Sequence, residues 1–519
     1  MSASSAAPVG VATPATPFAR SLADALSAEA DAPLAAYYAA NGWQPLFTAA
    51  EDGARRLALI SALDRAPAHG LPAARYDAAA LRDRLGAVRT EGDRARAEAA
   101  MARAFLAYAS DVGSGALVPS RVDKQIVRAV PHRDKGQLIA AFSQSDPAAF
   151  LRALPPQMPE YAQLMKAKLD LETAIARGGW GQPVPEGALH PGDTGRAVVA
   201  LRDRLIAEGY LSRTATGLYD ADVTRAVQDF QIDMGLDPDG VAGAGTIAQL
   251  NARPETRLRA VVAGLERLRW MNGVELGERH IWVNLPDFTA KIVDDGRVTF
   301  RTVAVIGMDQ DDRRTPEFSD QMEYMVVNPS WHVPRTITVK EYLPMMQRNR
   351  NAAAQLDLVD SRGRVVPRDQ VNFAAYTPRN FPFAMRQPPS DGNALGLVKF
   401  MFPNKWNIYL HDTPSKSLFQ KEVRAFSHGC IRLQQPFDFA YQLLSKQTDD
   451  PEGLFQRTLS SGREQSLTLD KPVPVHLVYY TAWPTPRGHM EYRNDIYGRD
   501  AEIFRELQEA GLVLASAED

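Results

Sequence analysis

Cys430 is the only cysteine in 519 residues, and it stands in the run Ser427-His428-Gly429-Cys430-Ile431-Arg432-Leu433, with a second histidine, His411, a short way upstream. A thiol is a weak nucleophile until it loses its proton, and a neighbouring imidazole or imidazolium favours the thiolate. Glycine directly before the sulfur lets the backbone turn tightly, so that successive N–H groups can face the oxyanion of a tetrahedral intermediate. These residue types in this order suit acyl transfer by the Cys430 thiol, with histidines in reach and Gly429 allowing the turn. Ordinary readings compete with this one. A free cysteine is often a small buried hydrophobe, a histidine has many structural uses, and Arg432 suits a surface ion pair as well as a substrate carboxylate. The chemistry requires no metal and no cofactor. The chain has neither C-x-x-C nor H-E-x-x-H, and its nine histidines are scattered.

The pattern extends beyond this core. Tyr409-Leu410-His411-Asp412-Thr413-Pro414-Ser415-Lys416-Ser417-Leu418-Phe419 is followed by Arg424-Ala425-Phe426 and then by the cysteine run. Val327-Asn328-Pro329-Ser330-Trp331-His332-Val333-Pro334, Asn393-Ala394-Leu395-Gly396, Lys399-Phe400-Met401-Phe402-Pro403-Asn404 and Asp495-Ile496-Tyr497-Gly498-Arg499-Asp500 belong to the same set. In this order they resemble the L,D-transpeptidases, which carry a YkuD-type catalytic domain, and within them the large periplasmic YcbB-like branch. The resemblance implies Cys430 as nucleophile, His411 as general base oriented by the backbone at Asp412, and an oxyanion hole from the amides of His428, Gly429 and Cys430. It further implies Arg432 and Tyr409 as positioners of the donor, with Ser427, Asp412 and Trp331 also expected on the substrate side.

Peptidoglycan stem peptides would then be both donor and acceptor. The expected reaction runs through a thioester at an L-centre, the third stem residue, with loss of the terminal D-alanine and formation of 3–3 cross-links, or 1–3 if another L-centre is used. Carbapenem β-lactams would acylate the same thiol. Release of the acyl group to water (an L,D-carboxypeptidase), a cysteine peptidase acting on proteins, and a non-catalytic wall-binding scaffold remain as alternatives.

The elements that must position these residues suggest a multidomain α+β chain. Phe18 to Ala30, Asp52 to Ala66, Ala78 to Leu85, Arg94 to Ser110, Tyr161 to Arg177 and Thr256 to Trp270 carry apolar residues at helical spacing. They predict a helical scaffold over 18–187 and 252–276. Between these lie Leu189-His190-Pro191-Gly192-Asp193-Thr194-Gly195, two short amphipathic runs around Leu201 and Phe230, and a glycine-rich close at Gly235 to Thr246. This segment, 188–251, resembles the three-helix peptidoglycan-binding type 1 module and is read as an insertion in the scaffold.

From residue 277 the pattern changes to short β-branched and aromatic runs: His280 to Asn284, Thr289 to Val293, Val298 to Val305, Met322 to Val327, Val398 to Phe402, Asn407 to Leu410 and Val473 to Tyr480. A mainly-β catalytic domain is expected over 277–496, with Asp294-Asp295-Gly296 turning a hairpin and an insertion at about 335–390 that the resemblance makes a lid. A closing helix is expected within 497–519.

Composition fits this layout. The content is 45% hydrophobic and 23% charged, and the formal charge of −3 with no basic stretch interleaved with aromatics gives no reason to expect nucleic acid. The Ala-, Ser- and Pro-rich start, 1–17, reads as disordered. It has no basic residue before Arg20 and no apolar h-region, so the periplasmic location implied by the resemblance calls for an export signal or membrane anchor absent from this sequence.

Overall fold

In the computed structural model, which describes residues 13–514, the chain forms two compact units: the residues up to Glu275 together with those from Tyr480 onward, and Leu276–Tyr479. The segment expected to be disordered falls, up to residue 12, outside the described residues. Thr16 already caps the first helix, Pro17–Ala25, accepting from the Ala19 amide at 3.0 Å.

The first unit is helical, and its boundaries follow local chemistry. Its longest helix, Glu91–Ser114, begins in a reciprocal cap: the Thr90 hydroxyl accepts from the Asp93 amide at 3.1 Å while the Asp93 carboxylate accepts from the Thr90 amide at 3.0 Å. It ends at Gly115, where φ is +95° and a Cβ would sit 2.5 Å from Cδ1 of Trp270. Trp270 closes the helix Pro254–Trp270, which is buried nearly all round, charges included. Glu266 there accepts from Arg269 at 2.5 Å and from the Leu117 amide at 2.8 Å. A helix enclosed on every side needs its buried charges paired.

Between the helices Pro159–Ala176 and Pro254–Trp270, which pack together, the chain makes three shorter helices, Arg196–Ala207, Ala221–Asp233 and Ala244–Leu250. Their apolar faces enclose Val198, Leu201, Leu205, Val227, Phe230 and Ile247. The Gln231 amide group clamps the turn before the third helix, donating to Asp239 at 2.8 Å and accepting from Gly240 N at 2.9 Å.

The second unit is built on β1 (Arg279–Asn284), β2 (Thr289–Asp294), β3 (Arg297–Gly307), β4 (Phe318–Val327), β5 (Trp331–His332), β6 (Asp357–Val359), β7 (Ala384–Gln387), β8 (Val398–Met401), β9 (Leu410–His411), β10 (Ala425–Ser427), β11 (Ile431–Leu433) and β12 (Gln465–Val478). The large sheet runs β10-β3-β11-β9-β8-β4-β12-β1-β2, and β2 pairs back onto β3, so the ladder returns to its own start. The hairpin at Asp294-Asp295-Gly296 joins β2 to β3 in antiparallel register. The strand expected from Asn407 begins only at Leu410, because Asn407 has φ +53° and Asn404 Oδ1 accepts from the amides of Trp406 and Ile408 in a tight turn. Strands β10 and β11 are three residues each, too short to show a period in sequence.

The insertion, expected at about 335–390, is a folded layer with strands of its own. It starts earlier, at β5, and carries its own sheet, β5-β7-β6, with a wide helical turn at Thr338–Tyr342. Leu343, Met346, Leu358, Phe373, Phe381 and Met385 give it a separate core.

The catalytic unit also closes earlier than the expected 496. After Tyr479 the chain rejoins the first unit, where Ala482, Tyr497, Ile503, Phe504 and Leu507 are buried. The terminal helix, Arg499–Glu509, packs on Pro254–Trp270. Its apolar face is satisfied by scaffold helices, a partner that no local pattern reveals.

Candidate active site

Three neighbouring strands position the site. In the β9–β11 ladder His411 is opposite Arg432, and in the β8–β9 ladder it is opposite Lys399. Directly paired residues share a face of the sheet, and residues two apart on a strand share it too. One face therefore carries Lys399, His411 and Arg432 in a row. Tyr409, whose carbonyl receives the Ile431 amide at 3.0 Å, and Cys430, one step before β11, flank that row. The opposite face carries Phe400, Leu410, Ile431 and Leu433, all fully buried. Alternation between core and site thus holds the chemistry in place.

Cys430 follows Gly429, which adopts φ +111°, a region open mainly to glycine. A Cβ at Gly429 would lie 3.0 Å from Ile408 Cδ1. The Gly429 carbonyl accepts from Thr315 Oγ1 at 2.8 Å, and that hydroxyl accepts from Gly307 N at 2.9 Å, anchoring the turn to the end of β3. Ser427, expected on the substrate side, is buried instead. Its hydroxyl donates to the Cys430 carbonyl at 2.5 Å and accepts from Gly429 N at 3.1 Å, so it braces the turn from within. The Gly429 amide is thereby removed from the expected oxyanion hole. Among the described residues the amides of His428 and Cys430 make no hydrogen bond within the chain, and they are the donors left for an oxyanion.

His411 is buried, and its Nδ1 lies 2.5 Å from the Asp412 carbonyl. A carbonyl only accepts, so Nδ1 carries the hydrogen and Nε2 keeps the lone pair a base needs. The Asp412 carboxylate has a supporting task rather than a place on the substrate side: it accepts from Leu397 N at 2.9 Å and from Lys416 Nζ at 2.5 Å. Gly396, at φ +61°, gives it room, since any Cβ there would run into the carboxylate. Behind this loop Asn393 is fully buried and donates to the carbonyls of Pro329, Gln387 and Pro388 while accepting from Leu395 N.

The electrostatics correct one expectation. Burial pushes the Cys430 thiol up to about 11, opposed only in part by hydrogen bonding from Tyr409 and by the charges of Arg432 and Lys399. Burial, then the Arg432 charge, lowers His411 to about 3. Both shifts run against the charged forms, and so against the thiolate that a neighbouring imidazole would favour. Among the described residues the sulfur's own hydrogen bond goes to the Asn407 carbonyl at 3.5 Å. Burial and the nearby Cys430 raise the Tyr409 phenol well above its ordinary value.

The insertion reaches the Gly429–Cys430 turn region through Glu341. This carboxylate lies 2.8 Å from His428 Nε2 and 2.7 Å from Arg313 Nη2, and Lys340 pairs with Asp312 at 2.7 Å. His428 thus has a side-chain role, as a docking point for the lid. Trp331 packs into the lid core, edge-on to Tyr342 with ring centres 6.4 Å apart. A cavity of about 450 Å³ opens beside Asp412, lined by Gly396, Leu397, Lys416, Gln435 and Phe437, but Cys430, Tyr409 and Arg432 are not on its walls.

Sequence reasoning passed over Lys399, Asn407 and Glu341 as site residues. Lys399 had a signal, a lone cation inside the apolar run Val398-Lys399-Phe400-Met401-Phe402. Glu341 had none, because the lid's docking depends on contacts distant in sequence.

Comparison with known families agrees with this architecture. Residues 278–475 match the L,D-transpeptidase catalytic domain, YkuD. The second unit is a YkuD-type catalytic domain. Residues 32–167 match a "Scaffold domain", and 194–250 match the "Putative peptidoglycan binding domain" of type 1. A protein of Haemophilus influenzae named "Putative L,D-transpeptidase" is 32% identical over 225 residues, which are 43% of this chain and 45% of that protein. The chain thus spans less than half the length of this curated relative. The crystal structure of an L,D-transpeptidase (residues 123–326) from Xylanimonas cellulosilytica aligns with 18% identity over 57% of this chain and 100% of its own, at a TM-score of 0.18. One from Stackebrandtia nassauensis aligns with 16% identity over 57% and 97%, at 0.21. Scores this low do not establish a shared fold. The YkuD match ends at residue 475, inside β12, and leaves 480–514 to the first unit.

Proposed function

We propose that this protein is a cysteine-dependent L,D-transpeptidase that joins peptidoglycan stem peptides through a thioester, acting in the periplasm in cell wall biogenesis. The observation that carries the reading is the single sheet face on which Tyr409, His411 and Arg432 lie beside Cys430 at the end of a positive-φ turn.

His411 is assigned as general base because its Nδ1 faces the Asp412 carbonyl and leaves Nε2 with the lone pair. As sulfur attacks the carbonyl carbon of the L-centre, its proton passes to Nε2 of His411, and the Cys430 and His428 amides receive the oxyanion. Collapse breaks the C–N bond, and the proton on His411 goes to the departing D-alanine amine. The side-chain amine of a second stem then attacks the thioester and gives a proton to His411. The S–C bond breaks, the sulfur regains its proton, and the amide cross-link is complete. Arg432 attracts the donor carboxylate. The lid keeps water from a thioester that would otherwise hydrolyse. Carbapenems are expected to acylate Cys430 by the same attack.

Incubation with purified wall tetrapeptide fragments, followed by mass spectrometry, tests the reading. Dimers formed with loss of D-alanine are expected, with 3–3 linkage. Tripeptide monomers alone would replace this reading with a carboxypeptidase. Cys430→Ala should abolish both products and any carbapenem adduct, and cross-linking that survives in this variant would refute the assignment of the nucleophile.

A further inference from the structure

The first unit holds a larger cavity than the one beside Asp412, about 920 Å³, and every residue on its walls belongs to that unit. Three parts of the chain enclose it: the helix Pro159–Ala176 with Trp180 in the loop after it, the end of Arg196–Ala207 with Tyr210 and Arg213 beyond, and the strand Met490–Tyr492 with His489 before it. The last two are clasped together. Asp233, fully buried, receives Arg487 at 2.5 Å and the Tyr210 hydroxyl at 3.1 Å, and it lies 3.3 Å from His489 Nδ1. Asp170, Trp180, Arg257 and Tyr492 all fall outside 194–250, so much of the wall is not part of the segment that matches the small module.

The walls combine aromatic rings with balanced charge. The Arg257 guanidinium lies 4.8 Å from the ring centre of Trp180 and 5.0 Å from that of Tyr492, and it pairs with Glu208 at 2.6 Å. Both side chains of that pair are almost fully buried, at 7% and 2% exposure, so Arg257 is neutralised within the chain and serves to hold the rings. Asp170, Asp203 and Glu208 are matched by Arg177, Arg213 and Arg257, three carboxylates against three guanidiniums. A wall of no net sign does not draw in a charged polymer. What it leaves over is hydrogen-bonding capacity. Glu208 Oε1 is buried without a partner, and among the described residues neither the Trp180 indole N–H nor the Tyr492 hydroxyl is bonded within the chain.

A neutral ligand with broad faces and many groups that both donate and accept meets these features, and an oligosaccharide is such a ligand. The C–H bonds on one face of a pyranose ring settle on the negative face of an indole or a phenol, and its hydroxyl and acetamido groups each donate and accept. The volume falls in the range of about 300–1,000 Å³ usual for ligand clefts. We propose that this cavity is a glycan-binding cleft, which takes the N-acetylated sugar chain of the wall against Trp180 and Tyr492, in a unit separate from the one that carries the thiol. The proposal rests on the wall-substrate reading above and extends it from the stem peptides to the sugars that bear them.

Calorimetric titration of the full chain with an uncharged probe, the hexamer of N-acetylglucosamine, tests the cleft, with a stem tetrapeptide titrated in parallel. The Cys430→Ala variant serves as the parent, so that no turnover enters the heats. The hexamer should bind this parent. Trp180→Ala should weaken binding by about tenfold or more, and Trp180→Phe, which keeps a ring, should recover most of it. Tyr492→Phe removes only a hydroxyl and should cost roughly two- to tenfold; if Trp180→Ala melts early, this variant decides. No binding of the hexamer, or equal affinity in the parent and in every folded variant, would overturn the proposal. So would binding of the tetrapeptide alone that depends on Trp180, which would give the cleft to peptides. Hexamer binding that depends on these rings upholds the cleft even if the wild type cross-links no stem peptide, and its absence sinks the cleft even if cross-linking is brisk.

Discussion

The thiol and the imidazole answer to their surroundings more than to each other. Because burial raises Cys430 to about 11, alkylation by iodoacetamide should be slow at pH 7 and rise about tenfold per pH unit toward that value. Tyr409→Phe removes a hydrogen-bond donor that stabilises the thiolate and should move the profile higher still. A midpoint near that of an ordinary thiol, about 8.5, would contradict this account of the pocket. Gly396→Ala is expected to be damaging at a position that carries no chemistry. It combines φ +61° with a steric collision against the Asp412 carboxylate, so a loss of about 1–3 kcal/mol in stability is expected. Activity should fall further than stability, since the displaced residue is the one whose carbonyl sets the His411 tautomer. Thermal melts and stem-peptide turnover on the same preparation measure the two effects.

At the scale of elements the lid is a small folded layer, not a loose loop. It has its own strands and core, and it docks through Glu341 and Lys340. The docking charges are about a third or more exposed apart from Arg313, so each pair contributes only about 0–1 kcal/mol and is screened by salt. Glu341→Gln should therefore leave the fold intact and loosen the lid. Hydrogen exchange over Thr338–Arg348 should accelerate by roughly five- to tenfold in low salt, and the wild type should approach the variant near 1 M salt. Equal protection in both proteins at low salt would show that the lid's apolar contacts alone hold it down.

For the whole molecule, chain order and structural membership diverge. The residues after Tyr479 belong to the first unit, where Ile503, Phe504 and Leu507 are buried, at roughly 1.5–3 kcal/mol for each large apolar side chain. Ending the chain at Tyr479 should therefore destabilise the helical unit and spare the catalytic one. Calorimetry should show the helical transition lowered or lost while that of Leu276–Tyr479 persists. If the catalytic transition fell instead, the boundary at Tyr479 would be wrong.

Much of this was legible in residues alone. One cysteine after a glycine, with His411 upstream, singled out the turn on which the proposed chemistry rests. Helical and alternating patterns separated a scaffold from a mainly-β domain, and glycine-rich turns marked the inserted module, because capping, turn and side-chain periodicity are local properties. Only the tertiary structure set Lys399 beside His411 and Arg432, since strand register joins residues by hydrogen bonds across chain segments that sequence keeps apart. Only there did Ser427 turn inward to brace the turn, and only there did burial shift the sulfur and the imidazole against their charged forms, because desolvation depends on what surrounds a group. The return of the last helix to the scaffold has the same cause: an amphipathic face states that it needs a partner, and the packed fold decides which one it gets.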